Sequence, residues 1–220
     1  MPMPHEVHVW SFCVANESVS SCLALLSADE RMRVSRFHTQ QVRDRSVVAR
    51  AKLRWLVGGY LGVEPTRLQF AAGSHGKPLL ADERAAGLQF NLSHSEDTLA
   101  LSFTSGHAVG IDVEHIRPVD DLDGLMRVAL TPTERDDVRS QPPGARRLSR
   151  FFQLWTRKEA YLKATGEGIA AGVAHVDALA LDGRSSKAAG CRDTASWAVH
   201  DIELGHGIVG AVVAQESPGG

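Results

Sequence analysis

The chain is poor in lysine, with five among 220 residues beside nineteen arginines. It is also poor in cysteine. Cys13, Cys22 and Cys191 are odd in number and form no C-x-x-C pair, which excludes a disulfide framework and a zinc ribbon. No apolar run approaches the roughly 20 residues that span a bilayer. Met1–Glu6 lacks the basic start and apolar stretch of a secretory signal. A cytoplasmic protein without membrane contact is therefore expected. A formal net charge of −2 gives no global pull toward nucleic acid. The hydrophobic fraction of 43% is that of an ordinary soluble domain.

Against this background, three of the five lysines fall in short motifs. Gly110-Ile111-Asp112-Val113-Glu114 alternates apolar and acidic residues, the pattern of a strand with Ile111 and Val113 on one face and both carboxylates on the other. Two carboxylates about 7 Å apart on one face repel each other unless a cation lies between them. Hard ions such as Mg²⁺ accept such oxygens and complete their shell with phosphate. Downstream, Trp155-Thr156-Arg157-Lys158-Glu159-Ala160-Tyr161-Leu162-Lys163 reads as helix, with Glu159 and Lys163 four apart on one face. Lys158 is expected to open onto the same groove. Trp155 reads as core first and site wall second. A metal, two ammonium groups and a spare carboxylate suit chemistry on a phosphate ester. The plainer alternative is an exposed helix with a Glu159–Lys163 ion pair, worth about 0.3–0.5 kcal/mol.

Strands are expected at Val7–Val14, Leu68–Phe70, Leu88–Leu92, Val176–Leu181, Ser196–Glu203 and Ile208–Ala214. Leu99–Thr104 and Ala108–Val113 read as a hairpin through Ser105-Gly106. Helix is expected over Asp29–Gly58, broken near Phe37–Gln40, and over Arg147–Thr165, ended by Gly166. Thr131 reads as an N-cap with Pro132 at the first helical position, and the polar stretch Arg117–Asp123 as a linker. The order repeats: Trp55 and Trp155 are 100 apart, and the Gly-His motifs at Gly106 and Gly205 are 99 apart. We therefore expect an α+β protein of two similar lobes related by a pseudo-two-fold, residues 1–116 and 117–220, with the site in the cleft between them.

These residues resemble the 4′-phosphopantetheinyl transferases of the two-lobed, surfactin-synthetase-activating type. The resemblance rests on Val109–Glu114, on Trp155–Lys163, on Gly76-Lys77-Pro78 leading to Phe90–Ser95, and on Arg36-Phe37 leading to Asp44–Arg50. It covers residues 30 to 170. It implies transfer of 4′-phosphopantetheine from coenzyme A to a serine of an acyl or peptidyl carrier domain, with release of 3′,5′-ADP. It further implies that Asp112, Glu114 and Glu134 hold Mg²⁺, although a first-turn Glu134 also suits a helix dipole. Glu159 would be the general base, and Lys158 and Lys163 would pair with phosphate oxygens. Ser93 and His94 would touch the phosphates, Arg36 and Arg45 the 3′-phosphate, and Lys77-Pro78 the adenine. A monomer is implied, because both half-sites lie in one chain, with the carrier surface between Leu122 and Arg150. Glu167 departs from the family, which often has lysine there. A metal-dependent nucleotide-pyrophosphate hydrolase and a non-catalytic coenzyme A-binding module are the alternatives.

Overall fold

A computed structural model describes residues 1–3, 5–72, 78–81, 87–168, 172–181 and 196–216. The chain begins with strand β1 (His8–Cys13) and helices α1 (Val19–Leu25), α2 (Ala28–Ser35) and α3 (Gln40–Leu61). A small ribbon, β2 (Phe70–Ala72) with β3 (Pro78–Leu80), leads to strands β4 (Leu88–Ser95) and β5 (Thr98–Ser105). Then the pattern recurs: strand β6 (Val109–His115), helices α4 (Leu122–Ala129), α5 (Pro132–Ser140) and α6 (Ala145–Thr165), and strands β7 (Trp197–Glu203) and β8 (Ile208–Gln215). Strands β1-β5-β4 form one antiparallel sheet and β6-β8-β7 form another of the same order. Each half is thus a strand, three helices and a hairpin, which gives the two similar α+β lobes expected from sequence.

The repeat runs on a different register from the expected one. Ser27 and Thr131, Glu30 and Glu134, Arg54 and Lys158, and Gly62 and Gly166 each stand 104 residues apart. Ser27 and Thr131 are both N-caps of capping boxes, closed by Glu30 and Glu134 respectively. Gly62 and Gly166 both end the long helix in the left-handed conformation. Trp55 therefore corresponds to Glu159 and not to Trp155.

Three other expectations are corrected. Strand β5 does not pair with β6; its partners are β4, through the tight turn at Glu96-Asp97, and β1. Strand β6 pairs with β8, so it opens the second repeat instead of closing the first. The expected strand Val176–Leu181 is a run of turns. The Asp177 carboxylate accepts hydrogen bonds from the Leu179 and Ala180 amides at 3.0 and 3.2 Å, a local closure that competes with a ladder. The linker is shorter than expected, because Asp121 caps α4 by accepting from the Gly124 amide at 2.7 Å.

The core of the first half gathers α3 and the inner faces of β4 and β5 around Val48, Leu53, Leu101 and Phe103. The second half is built around α6, with Tyr161 and Leu162 facing Ala211 and Val213 of β8. Between the sheets, Ala100, Ile111 and Val113 bury together against Val9, Ile202 and Leu204. Among the described residues, no helix is long and apolar enough to cross a membrane.

Candidate functional site

Strand β6 runs beside β4 at the junction of the two halves. In place of a backbone ladder, side chains of β4 bridge to β6. Asn91 Oδ1, Ser93 Oγ and Ser95 Oγ accept hydrogen bonds from the amides of Ile111, Val113 and His115 at 3.2, 3.3 and 3.1 Å. On β4 the spacing of two is that of side chains sharing one face, and on β6 it is that of amides pointing to one edge. The face of β6 that carries Gly110 meets α6. A Cβ on Gly110 would lie 2.0 Å from the Ala160 carbonyl oxygen and 2.6 Å from the Ala164 nitrogen. Glycine here lets helix backbone touch strand backbone. That contact brings Glu159 and Lys163, one turn apart on α6, over Asp112.

Lys163 Nζ donates to Asp112 Oδ1 at 2.7 Å, to Ser93 Oγ at 3.1 Å and to the Ile111 carbonyl at 3.2 Å. Ser93 Oγ donates to the same Asp112 Oδ1 at 2.8 Å, and Ser95 Oγ donates to Glu114 Oε2 at 2.8 Å. Arg117 donates to Glu114 Oε2 at 2.9 Å. Asp112 and Glu159 are buried, and each keeps one oxygen, Asp112 Oδ2 and Glu159 Oε1, without a hydrogen-bond partner. Burial pushes the Glu159 carboxyl up to about 6, and the charges of Asp112 and Glu114 push the same way against Lys163. Burial raises the Asp112 carboxyl, opposed by Lys163 and by the Ser93 hydrogen bond.

Among the described residues, no three His, Cys, Asp or Glu side chains are gathered closely enough to hold a metal ion as they stand. The donor chemistry nonetheless fits one. Two buried carboxylate oxygens without partners, with Glu114 close enough to be felt electrostatically, are hard oxygen ligands awaiting a positive charge.

Glu134 stands apart from this group. Its Oε2 accepts from the Thr131 amide at 2.7 Å and from Lys158 Nζ at 2.6 Å, and its Oε1 from the Ala178 amide at 2.7 Å. Lys158 is equally far from its expected place. It is fully buried, donating to Glu134 and to the carbonyls of Ala129 (2.9 Å) and Val173 (3.4 Å). Desolvation holds its ammonium below the ordinary lysine range. The first half contains the same strut without the acids. Arg54, 1% exposed, donates to the capping-box Glu30 at 2.7 Å and to the carbonyls of Pro65 and Leu68. A feature present in both halves belongs to the scaffold.

A cavity of about 220 Å³ opens beside β4 and reaches His94 and Pro78. Its walls include two stripes: Glu30, Arg33 and Val34 on α2 with Phe37 just beyond its end, and Ser46, Ala49, Arg50 and Leu53 on α3. Both follow the i, i+3, i+4, i+7 spacing of one helix face. A larger cavity of about 680 Å³ shares Arg33, Arg50 and Pro78 and adds Arg67. The arginines that line both cavities, Arg33 and Arg50, are not among the expected site residues, although their place in two helical stripes is a signal the sequence carries. The expected Arg36 and Arg45 line neither cavity. Arg45 pairs with Asp97 at 3.4 Å, and Arg36 is the exposed C-cap of α2. Lys77 lies outside the described residues. Trp155 stacks on Phe151 at 6.3 Å, inside the second half's packing.

The comparisons bear on both halves separately. Residues 10–105 match the model of the 4′-phosphopantetheinyl transferase N-terminal family. Residues 108–213 match that of the 4′-phosphopantetheinyl transferase superfamily. The chain is 42% identical over 168 residues to the 4′-phosphopantetheinyl transferase HetI of Nostoc sp., which covers 75% of this chain and 70% of that protein. It is 32% identical over 210 residues to the phosphopantetheinyl transferase of Thraustochytrium sp., covering 87% and 73%. It is 28% identical over 173 residues to the 4′-phosphopantetheinyl transferase psf-1 of Bacillus pumilus, covering 78% and 72%.

Proposed function

Because the chain belongs to the 4′-phosphopantetheinyl transferase superfamily, we propose that the β4–β6–α6 junction is its reaction centre and the arginine-walled cavity its nucleotide site. The enzyme transfers 4′-phosphopantetheine from coenzyme A to the serine of a carrier protein domain. The serine oxygen forms a bond to the phosphorus next to pantetheine. The bond from that phosphorus to the bridging oxygen breaks, and 3′,5′-ADP leaves with the electron pair.

The observation that carries the assignment is the continuity of β4. His94 opens into the cavity, while Ser93 and Ser95 on either side hold the carboxylates. A diphosphate lying along this strand would join the two. Asp112, Glu114 and Glu159 would hold Mg²⁺, which supplies charge neutralisation on the diphosphate. Lys163 adds a positive charge that follows the leaving oxygen. Glu159, with its raised affinity for protons, is the acceptor for the serine proton, directly or through water. Arg33 and Arg50 suit the 3′-phosphate, since guanidinium forks bind phosphate in pairs. We place the lobe boundary near Gly106, ahead of β6, and read the enzyme as a cytoplasmic monomer of the surfactin-synthetase-activating type. The carrier would approach over Leu122–Arg150.

Intact-mass spectrometry of a carrier domain, after incubation with coenzyme A and Mg²⁺, tests this. The wild-type enzyme adds one phosphopantetheine mass. Asp112→Ala and Glu159→Gln each lower the rate by at least 100-fold, in line with the loss of a proton acceptor or charge clamp. A normal rate in either variant removes that residue from its role.

A further inference from the structure

Each hydroxyl of the β4 bridge does two things at once. Ser93 Oγ accepts from the Val113 amide and donates to Asp112; Ser95 Oγ accepts from the His115 amide and donates to Glu114. A hydroxyl offers one donor and two acceptor lone pairs, so neither bond excludes the other. The third rung, Asn91, meets β6 beside Gly110, where there is no carboxylate to hold, and there the amide oxygen only accepts. Hydroxyls therefore stand at the two rungs that face acids.

The donors are also placed unevenly on the carboxylates. Both Ser93 and Lys163 bond Oδ1 of Asp112, and Oδ2 has no partner. Both Ser95 and Arg117 bond Oε2 of Glu114. One oxygen of each acid is pinned, which sets the direction in which the other points. Ser93 is 6% exposed and Ser95 8%; the Ser93–Asp112 bond is buried and the Ser95–Glu114 bond is partly shielded.

We infer that Ser93 and Ser95 are positioning residues that act through Asp112 and Glu114, fixing which carboxylate oxygen each acid presents to a divalent cation. This rests on the transfer reaction assigned above and adds to it. The two serines serve metal binding by orienting its ligands, and at the same time they tie the metal strand to the first half of the chain. Hydrogen bonds to metal-binding carboxylates are commonly worth about 10–100-fold in metal affinity.

The test titrates Mn²⁺ into the full-length protein with coenzyme A and no carrier, followed by electron paramagnetic resonance, with carrier modification measured in parallel. Ser95→Ala is expected to weaken Mn²⁺ binding by about 10-fold or more. The metal concentration for half-maximal transfer should rise to match, with the KM for coenzyme A unchanged. Ser95→Thr, which keeps the hydroxyl, should bind within a few-fold of wild type, as roughly expected where the donor survives. Ser93→Ala should weaken Mn²⁺ binding to a similar extent, read on the metal alone because Ser93 is also an expected phosphate contact; if it fails to fold, Ser93→Cys, a weaker donor, should give an intermediate loss. Wild-type Mn²⁺ affinity in Ser95→Ala, or equal losses in the Ala and Thr variants, would overturn the inference while leaving the transferase assignment standing. A wild-type protein that neither binds Mn²⁺ nor modifies a carrier would overturn both.

Discussion

At the scale of single residues, Glu159 is a carboxylic acid whose environment departs clearly from water. Its folded value of about 6 stands above the ordinary 4.5, chiefly because it is buried. A raised carboxyl means that the native state holds the proton more tightly than the unfolded chain. Stability is therefore lost as pH rises from about 4.5 through 6, and the loss persists above that. A shift of this size corresponds to about 2 kcal/mol. Glu159→Gln should accordingly melt higher than wild type at pH 7.5 in metal-free buffer, and the difference should vanish toward pH 4.5. Calorimetry across that range checks it.

At the scale of elements, the long helix α6 is positioned by one buried ion pair and one glycine. Removing the ammonium in Lys158→Met leaves Glu134 charged in the interior, and breaking a buried pair costs about 3–5 kcal/mol. Lys158→Arg should be far milder, since the first half uses arginine at the matching place. Chemical denaturation of the two variants distinguishes a scaffold from a phosphate ligand, for which arginine would also serve but whose loss would leave stability unchanged. Here the sequence was a partial guide. The alternation in Ile111–Glu114 and the four-residue step from Glu159 to Lys163 were both readable, because strand and helix periods act over a few residues. The direction of Lys158 was not. It lies one position from Glu159, and a helix turns about 100° per residue, so neighbours point to different faces. Nor was the β5–β6 hairpin legible as false. Its turn residues are ordinary, and only the pairing of β6 with β8, almost a hundred residues on, overrides them. Glu134 illustrates a third limit, since a capping box and a metal carboxylate both call for an acid in the first helical turn.

At the scale of the whole molecule, two sheets of identical order meet across β4 and β6, where Ser93 of the first half meets Asp112 and Lys163 of the second. Fragments test where the halves divide. Residues 106–216 retain β6 beside β8 and should melt cooperatively, while residues 117–216 lack that strand and expose β8 as an edge, so they should not. Thermal scans of the two fragments by circular dichroism read this directly. The doubled strut has a further use. In the first half, the place corresponding to Glu159 holds Trp55, half exposed and edge-on to Trp10 at 6.5 Å, so no proton acceptor stands there. Arg54 nonetheless lines the larger cavity and its partner Glu30 lines both, so the strut of the first half also braces the arginine-walled cavity, while its twin of Lys158 and Glu134 lines neither.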